Sequence, residues 1–358
     1  MTLRTHSSTL DPRWLVSQRF DLTFILLGGA VVSAICFALS TLDSGFLMLA
    51  VGFAIVLDFP HVMQTYVRIW LEPHETKLYG RDFLLSLVLT GICATYLYLA
   101  GELVFLLAVW IYWQPFHVIK QHLGIVRIYN AKIGYRGPSS LAERTLWLGC
   151  LAPILARLSS TGLHFDEYVV FHRRLPFSGL TLPAPPVPGA VVALCYGLLA
   201  ACAVLLVHEQ WTRARRGEST MAPGAVANLA LAVASYNVAY LLVANLYATI
   251  LVASAVHSLQ YHTICWSYNH RRTTAPTRQG AAPFLAFLSR RESVPLYAAL
   301  MLTLGAMCAG LEWFANGLLP LIIVLHHFYF DGLIWKGSTN ADLKVGLGLA
   351  DAGAGARA

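Results

Sequence analysis

The chain has 358 residues, of which 57% are hydrophobic and only 12% charged, and its mean hydropathy is +0.60. A soluble domain carries about 25% charged residues, so this composition excludes an ordinary soluble protein and points to an integral membrane protein. The net charge of +7 raises the question of nucleic acid, which the placement of the basic residues answers below.

A helix needs about 20 apolar residues to cross the hydrocarbon core. On that basis residues 1–21 form an N-terminal segment outside the membrane, and spans fall near 22–40, 45–69, 83–101, 103–126 and 144–161. A loop near 162–188, containing PAPPVP, separates them from spans near 189–208, 223–243, 246–268, 294–315 and 317–336. The boundary between the seventh and eighth spans is placed at Ala244–Asn245. Residues 282–292 are too short to span and are expected to lie along the interface. Residues 337–358 end in a low-complexity stretch, GLGLADAGAGARA, and are expected to be disordered. The first apolar run is not followed by a small-residue cleavage site, so it reads as a span and not a signal peptide. The fold class is therefore an all-α polytopic helix bundle with about ten spans.

With the N-terminus inside, every lysine and arginine except Arg157, Arg173 and Arg174 falls on or next to a cytoplasmic segment. That bias puts both termini in the cytoplasm and makes 162–188 the one substantial external loop. It also accounts for the basic balance without nucleic acid. The expected location is a multi-pass protein of the bacterial inner membrane. The seven cysteines lie in apolar runs with no C-x-x-C pair, which argues against a disulfide framework or a zinc knuckle.

Seven histidines fall inside spans: His61, His117, His122, His257, His262, His326 and His327. Ionisable residues at membrane depth are costly and mark function. These sit on the second, fourth, eighth and tenth spans, each in the half nearer the cytoplasm, roughly 7 to 21 Å before Arg68, Arg127, Arg271 or Lys336 at the end of its span, at 1.5 Å per residue. Four helices thus bring imidazoles to one layer. Asp58 is three residues from His61, and His327 is four from Asp331, so each pair shares a helical face. H117VIKQH122 and H257SLQYH262 share the spacing H-x4-H, whose members point about 140° apart on an α-helix. They would converge on one ion only across a π-bulge, and otherwise serve two ions. Gln64, Gln121 and Gln260 are placed to orient imidazoles. Helical geometry favours His327 over His326 as the partner of Asp331, because His326 lies about 100° around the helix.

Imidazole with some carboxylate suits iron, with zinc or copper as other choices. The number of ligands would suit a two-metal centre. Two other readings use the same residues: a haem-binding membrane electron carrier, and a transporter with a histidine and aspartate proton or cation path.

A cytoplasm-facing cluster of histidines at the ends of several spans resembles the membrane non-haem di-iron oxidases, the fatty-acid desaturases and hydroxylases. His117/His122 and His257/His262 approach the looser of that group's histidine boxes. His326-His327 lacks the upstream histidine of an H-x2-H-H box, since Ile323 and Val324 fill those places. In length, span number and dispersed intramembrane histidines the chain is also similar to the bacterial carotene-cleaving dioxygenases of the bacteriorhodopsin-related-protein family. These resemblances imply iron, two ions per chain in the first group, and O2-dependent hydroxylation, desaturation or cleavage of a lipid-like substrate. The expected ligands are His61, His117, His122, His257, His262 and His327, with Asp58, Asp331 and His326 beside them. No ferredoxin- or flavin-binding motif is present, so any reducing equivalents would come from a separate electron donor.

Overall fold

The computed structural model describes residues 11, 13–42, 45–135, 137, 140–170, 173–175, 177–274, 283–314, 317–336 and 341–349. Apolar runs bounded by glycine, proline and charge fold as helices throughout. In chain order they are α1 (Gln18–Ser40), α2 (Gly45–Phe53, Ala54–Asp58 and Phe59–Leu71 in line), α3 (Pro73–Leu99), α4 (Leu103–Lys132), α5 (Ser140–Ser160) and α6 (Gly189–Arg215). They continue as α7 (Pro223–Leu242), α8 (Leu246–Thr274), α9 (Pro283–Leu288), α10 (Val294–Phe314), α11 (Leu318–Ile334) and α12 (Ala341–Gly346).

Each expected span holds a helix, and α7 and α8 part at 243–245 as the sequence implies. Among the described residues seven helices are long and apolar enough to cross a membrane: α1, Met48–Leu71 of α2, α3, α4, α6, α7 and Arg291–Leu311 at α10. Three expected spans fall outside that set for identifiable reasons. α11 is apolar but has only 17 residues. α5 carries Glu143, Arg144 and Arg157, and α8 loses apolar character to its histidines, glutamine and tyrosines. α3 begins ten residues before the expected boundary, at Pro73 in place of Phe83.

α8 is the axis of the bundle. It packs on α1, α2, α4 and α7, and most of its residues are buried. α6 lies at the opposite extreme: it rests on α5 and buries no residue of its own. Gly305 of α10 meets the backbone of Ile55 and the ring of Pro60, an approach that any Cβ would block. That contact lies on a wide turn of α2. Pro60 has no N–H to donate, and across Ala54–Asp58 the ladder widens to π spacing.

The two ends of the bundle differ. At one end Leu163, Phe165, Tyr168, Phe177 and Leu182 of the segment between α5 and α6 pack against Leu107 and Ile111 of α4 and Leu246 and Ile250 of α8. A two-residue antiparallel pairing, Val169–Val170 with Arg173–Arg174, makes this segment a hairpin cap. Arg157, one of the three exceptions to the charge bias, is buried here. It donates to the carbonyls of Val243 and Ala244 and to Thr249 Oγ1, where α7 ends and its last carbonyls need partners.

At the other, basic end Arg68 Nη2 donates to Glu75 Oε1 (3.0 Å), and Arg272 reaches Glu72 (3.0 Å) and Glu75 (3.1 Å), all four side chains buried. This network ties α2, α3 and α8 together, and the Ile334 carbonyl of α11 accepts from Arg68. Asp21 is buried at the same end, accepting from the Leu15 and Val16 amides and from Tyr129 Oη. Trp14, Leu15 and Leu347 share one apolar cluster there. The tail therefore departs from the expected disorder within 341–349, where α12 packs on α8. Residues 337–340 and 350–358 lie outside the described residues.

Candidate metal centre

Four of the seven intramembrane histidines meet. His61 (α2), His257 (α8), His117 (α4) and His327 (α11) form a closed ring of imidazoles, with centroid separations of 4.9, 4.9, 5.0 and 4.9 Å taken in turn around it. The rings meet edge to face, at interplanar angles between 70° and 84°. His61 Nε2 lies 3.3 Å from His257 Nε2. A tetrahedral ion that holds nitrogens at about 2.1 Å places them about 3.4 Å apart and their ring centroids about 5 Å apart. His61, His117 and His257 form one group with ligand atoms within 4.8 Å of one another; His117, His327 and Asp331 form a second.

The hydrogen bonds around the ring assign its protons. Tyr261 Oη donates to Asp331 Oδ1 (2.5 Å), and Trp335 Nε1 donates to the same oxygen (2.8 Å). With its proton committed, Tyr261 accepts from Thr65 Oγ1 at 2.9 Å. A hydroxyl has one proton, so Thr65 in turn accepts from His327 Nδ1, also at 2.9 Å. His327 is thereby the Nδ1–H tautomer, with its Nε2 lone pair free. That Nε2 has no protein partner, nor have His117 Nε2 and His257 Nδ1. Buried nitrogens without partners cost about 1–3 kcal/mol each; a cation at the centre of the ring would satisfy those aimed at it. The donor set fits a metal ion.

The other expected residues fall elsewhere. α4 and α8 stay α-helical through both H-x4-H motifs, so only the first histidine of each pair reaches the ring. The π turn that convergence of either pair would require is not there; one lies on α2, just before His61. His262 accepts from Gln64 Nε2 at Nδ1 and donates from Nε2 to the Leu57 carbonyl (3.2 Å). His122 is buried beside Asn228 and Gln260. His326 bonds Tyr66 Oη through Nδ1 and Ser86 Oγ through Nε2, both at 3.0 Å, and so faces α3 and not the ring. Asp58 approaches His61 Nδ1 at 3.7 Å while remaining partly exposed. Of the three glutamines, Gln64 bonds His262 and Gln260 lies beside His122, neither of them an imidazole of the ring. Gln121 donates to the His257 carbonyl, and Gln260 to the Ile25 carbonyl and Asn228 Oδ1.

Thr65 and Tyr261 are not singled out by the pattern of intramembrane histidines and carboxylates. Their one visible signal is a hydroxyl four residues after His61 and after His257, on the same helical face.

The ring closes the inner end of a cavity with about 1030 Å³ of unfilled space, its open part included. Its lining starts at Asp58, His61, His117 and His257 and reaches Leu103, Tyr247, Gly317 and Phe177 at the hairpin end. Measured along α4 from His117 to Leu103 this is about 21 Å. Beyond Gln114 and Ser254 the walls are almost wholly apolar.

No family model, curated protein or solved structure matches the chain.

Proposed function

We propose that this is a multi-pass membrane metalloenzyme whose non-haem iron is held by His61, His117, His257 and His327, and which uses O2 to oxidise a hydrophobic substrate. The observation that carries the reading is the ring of four imidazoles, two nitrogens at tetrahedral-ligand spacing, at the blind end of an apolar cavity. Bound there, iron would supply the redox chemistry through which O2 attacks a C–H or C=C bond. The chain's own residues do the rest. Asp331, Tyr261 and Thr65 fix the His327 tautomer, as outer-shell partners of metal-ligating histidines do. The apolar walls select the substrate and exclude water.

One ion suits the geometry better than two. The two three-residue groups share His117, and His262 and His326, which a second ion would need, are already bonded to protein. Four rings in mutual contact also leave no plane for a porphyrin, which disfavours the haem carrier. An apolar cavity wall is unsuited to a cation path. In this reading the basic end faces the cytoplasm, in keeping with the charge bias. The terminal segments, which pack together there, match the even number of crossings that ten spans would give.

The deciding experiment is metal analysis of the detergent-purified protein. About one iron per chain, lost in His117→Ala and kept in His262→Ala, is the expected result; metal-free protein that still consumes O2 with substrate would overturn it.

A further inference from the structure

The cavity carries a polar feature that the imidazole ring does not use. One helical turn toward the hairpin end, Gln114 of α4 and Ser254 of α8 bridge the two helices, Gln114 Nε2 donating to Ser254 Oγ (2.5 Å). Gln114 precedes His117 by three residues and Ser254 precedes His257 by three, so the pair sits directly over two of the four imidazoles. Both residues line the cavity. Gln114 is 4% exposed and its Oε1 has no hydrogen-bond partner. Asp58, whose carboxylate is also an acceptor, lines the same cavity, as do the Trp110 indole and the Tyr247 hydroxyl.

A buried carbonyl oxygen left without a donor is destabilising by about 1–3 kcal/mol. A pure hydrocarbon in the cavity would leave it so. A protonated amine would supply the donor, but would carry a charge into an apolar bore. A hydroxyl supplies the donor without the charge. It also suits the carboxamide turned end for end, with NH2 toward the cavity, because a hydroxyl accepts as well as donates.

We propose that the cavity takes an elongated apolar molecule bearing one hydroxyl, a long-chain alcohol, whose O–H is donated to Gln114 Oε1. Resting on the metal-centre reading above, this places the carbons next to the hydroxyl within about one helical turn, or 5 Å, of the imidazole ring. Gln114 then sets which carbons are presented for oxidation, and the apolar walls toward Phe177 hold the remaining chain.

The test is binding, read without turnover. An 18-carbon conjugated-tetraene alcohol and its methyl ether are titrated into the full-length protein in lipid nanodiscs. Energy transfer from tryptophan (Trp110 lines the cavity) reports occupancy, corrected for partition into empty nanodiscs. The expected result is that the alcohol binds about fivefold more tightly than the ether, the effect of one neutral hydrogen bond. Gln114→Met should bring the alcohol to the ether's affinity, and Leu107→Trp, which fills the bore, should abolish saturable binding of both. Equal binding of alcohol and ether to the wild type would overturn the proposal, as would a preference that survives Gln114→Met, or no saturable binding. Iron measured on the same samples separates the two readings. Iron retained with no alcohol preference sinks this inference alone; an alcohol preference without iron sinks the metal centre alone.

Discussion

Two buried polar clusters share α2 and α8, and they are built on opposite principles. In the clamp at the basic end, Arg68, Glu75, Arg272 and Glu72 form a set in which every charged side chain has a partner of opposite sign. In the imidazole ring, nitrogens of His117, His257 and His327 have none. A cluster whose charges cancel in pairs holds helices together; a cluster of imidazoles with no opposite charge to answer them is open to a cation. The difference separates structure from chemistry where residue type alone does not, since both clusters are costly ionisable groups in an apolar bundle.

Substitutions that treat the two clusters differently sharpen this contrast. The largest effect is expected in the ring: His257→Ala should lower bound metal from near-stoichiometric to background by elemental analysis, while detergent-solubilised protein keeps its helical circular dichroism. Next comes the clamp. Glu75→Ala leaves two buried guanidinium groups without that carboxylate, and should destabilise the bundle by about 3–5 kcal/mol in thermal unfolding, with metal per folded chain unchanged. Thr65→Val breaks the relay that fixes the His327 tautomer. Its metal affinity, measured by competition with a chelator, should fall about 10- to 100-fold. His326→Leu is expected to do least. It removes two hydrogen bonds on the α3 side at about 1 kcal/mol of stability and should leave metal content as it was. Should His326→Leu lose metal while His257→Ala retains it, the assignment of the two regions would be inverted.

Much of this arrangement is legible in the sequence. Hydropathy places the helices because a buried bundle has few polar options, and the break at 243–245 stands where Ala244 and Asn245 interrupt the apolar run. Helical angles separate His327 from His326, and the first from the second histidine of each H-x4-H pair. What the sequence hides is three-dimensional. The hydroxyls of Thr65 and Tyr261 look like ordinary span residues until four helices bring them between His327 and Asp331. Arg157 reads as a topology exception until it is seen capping the end of α7. Glu72 and Glu75 read as loop charges until Arg272, distant in sequence, is placed beside them.

The wide turn at Ala54–Asp58 is in effect an α-helix with one residue too many. Removing a single residue there would let α2 return to regular spacing. It would also swing the outer part of the helix by about 100° relative to His61, separating Phe53, which lines the cavity, from the imidazole it now accompanies. The imidazole ring and the cavity wall are thus brought into phase by one inserted residue, and the length of this turn is a coordinate along which one can be shifted against the other while the histidines stay the same.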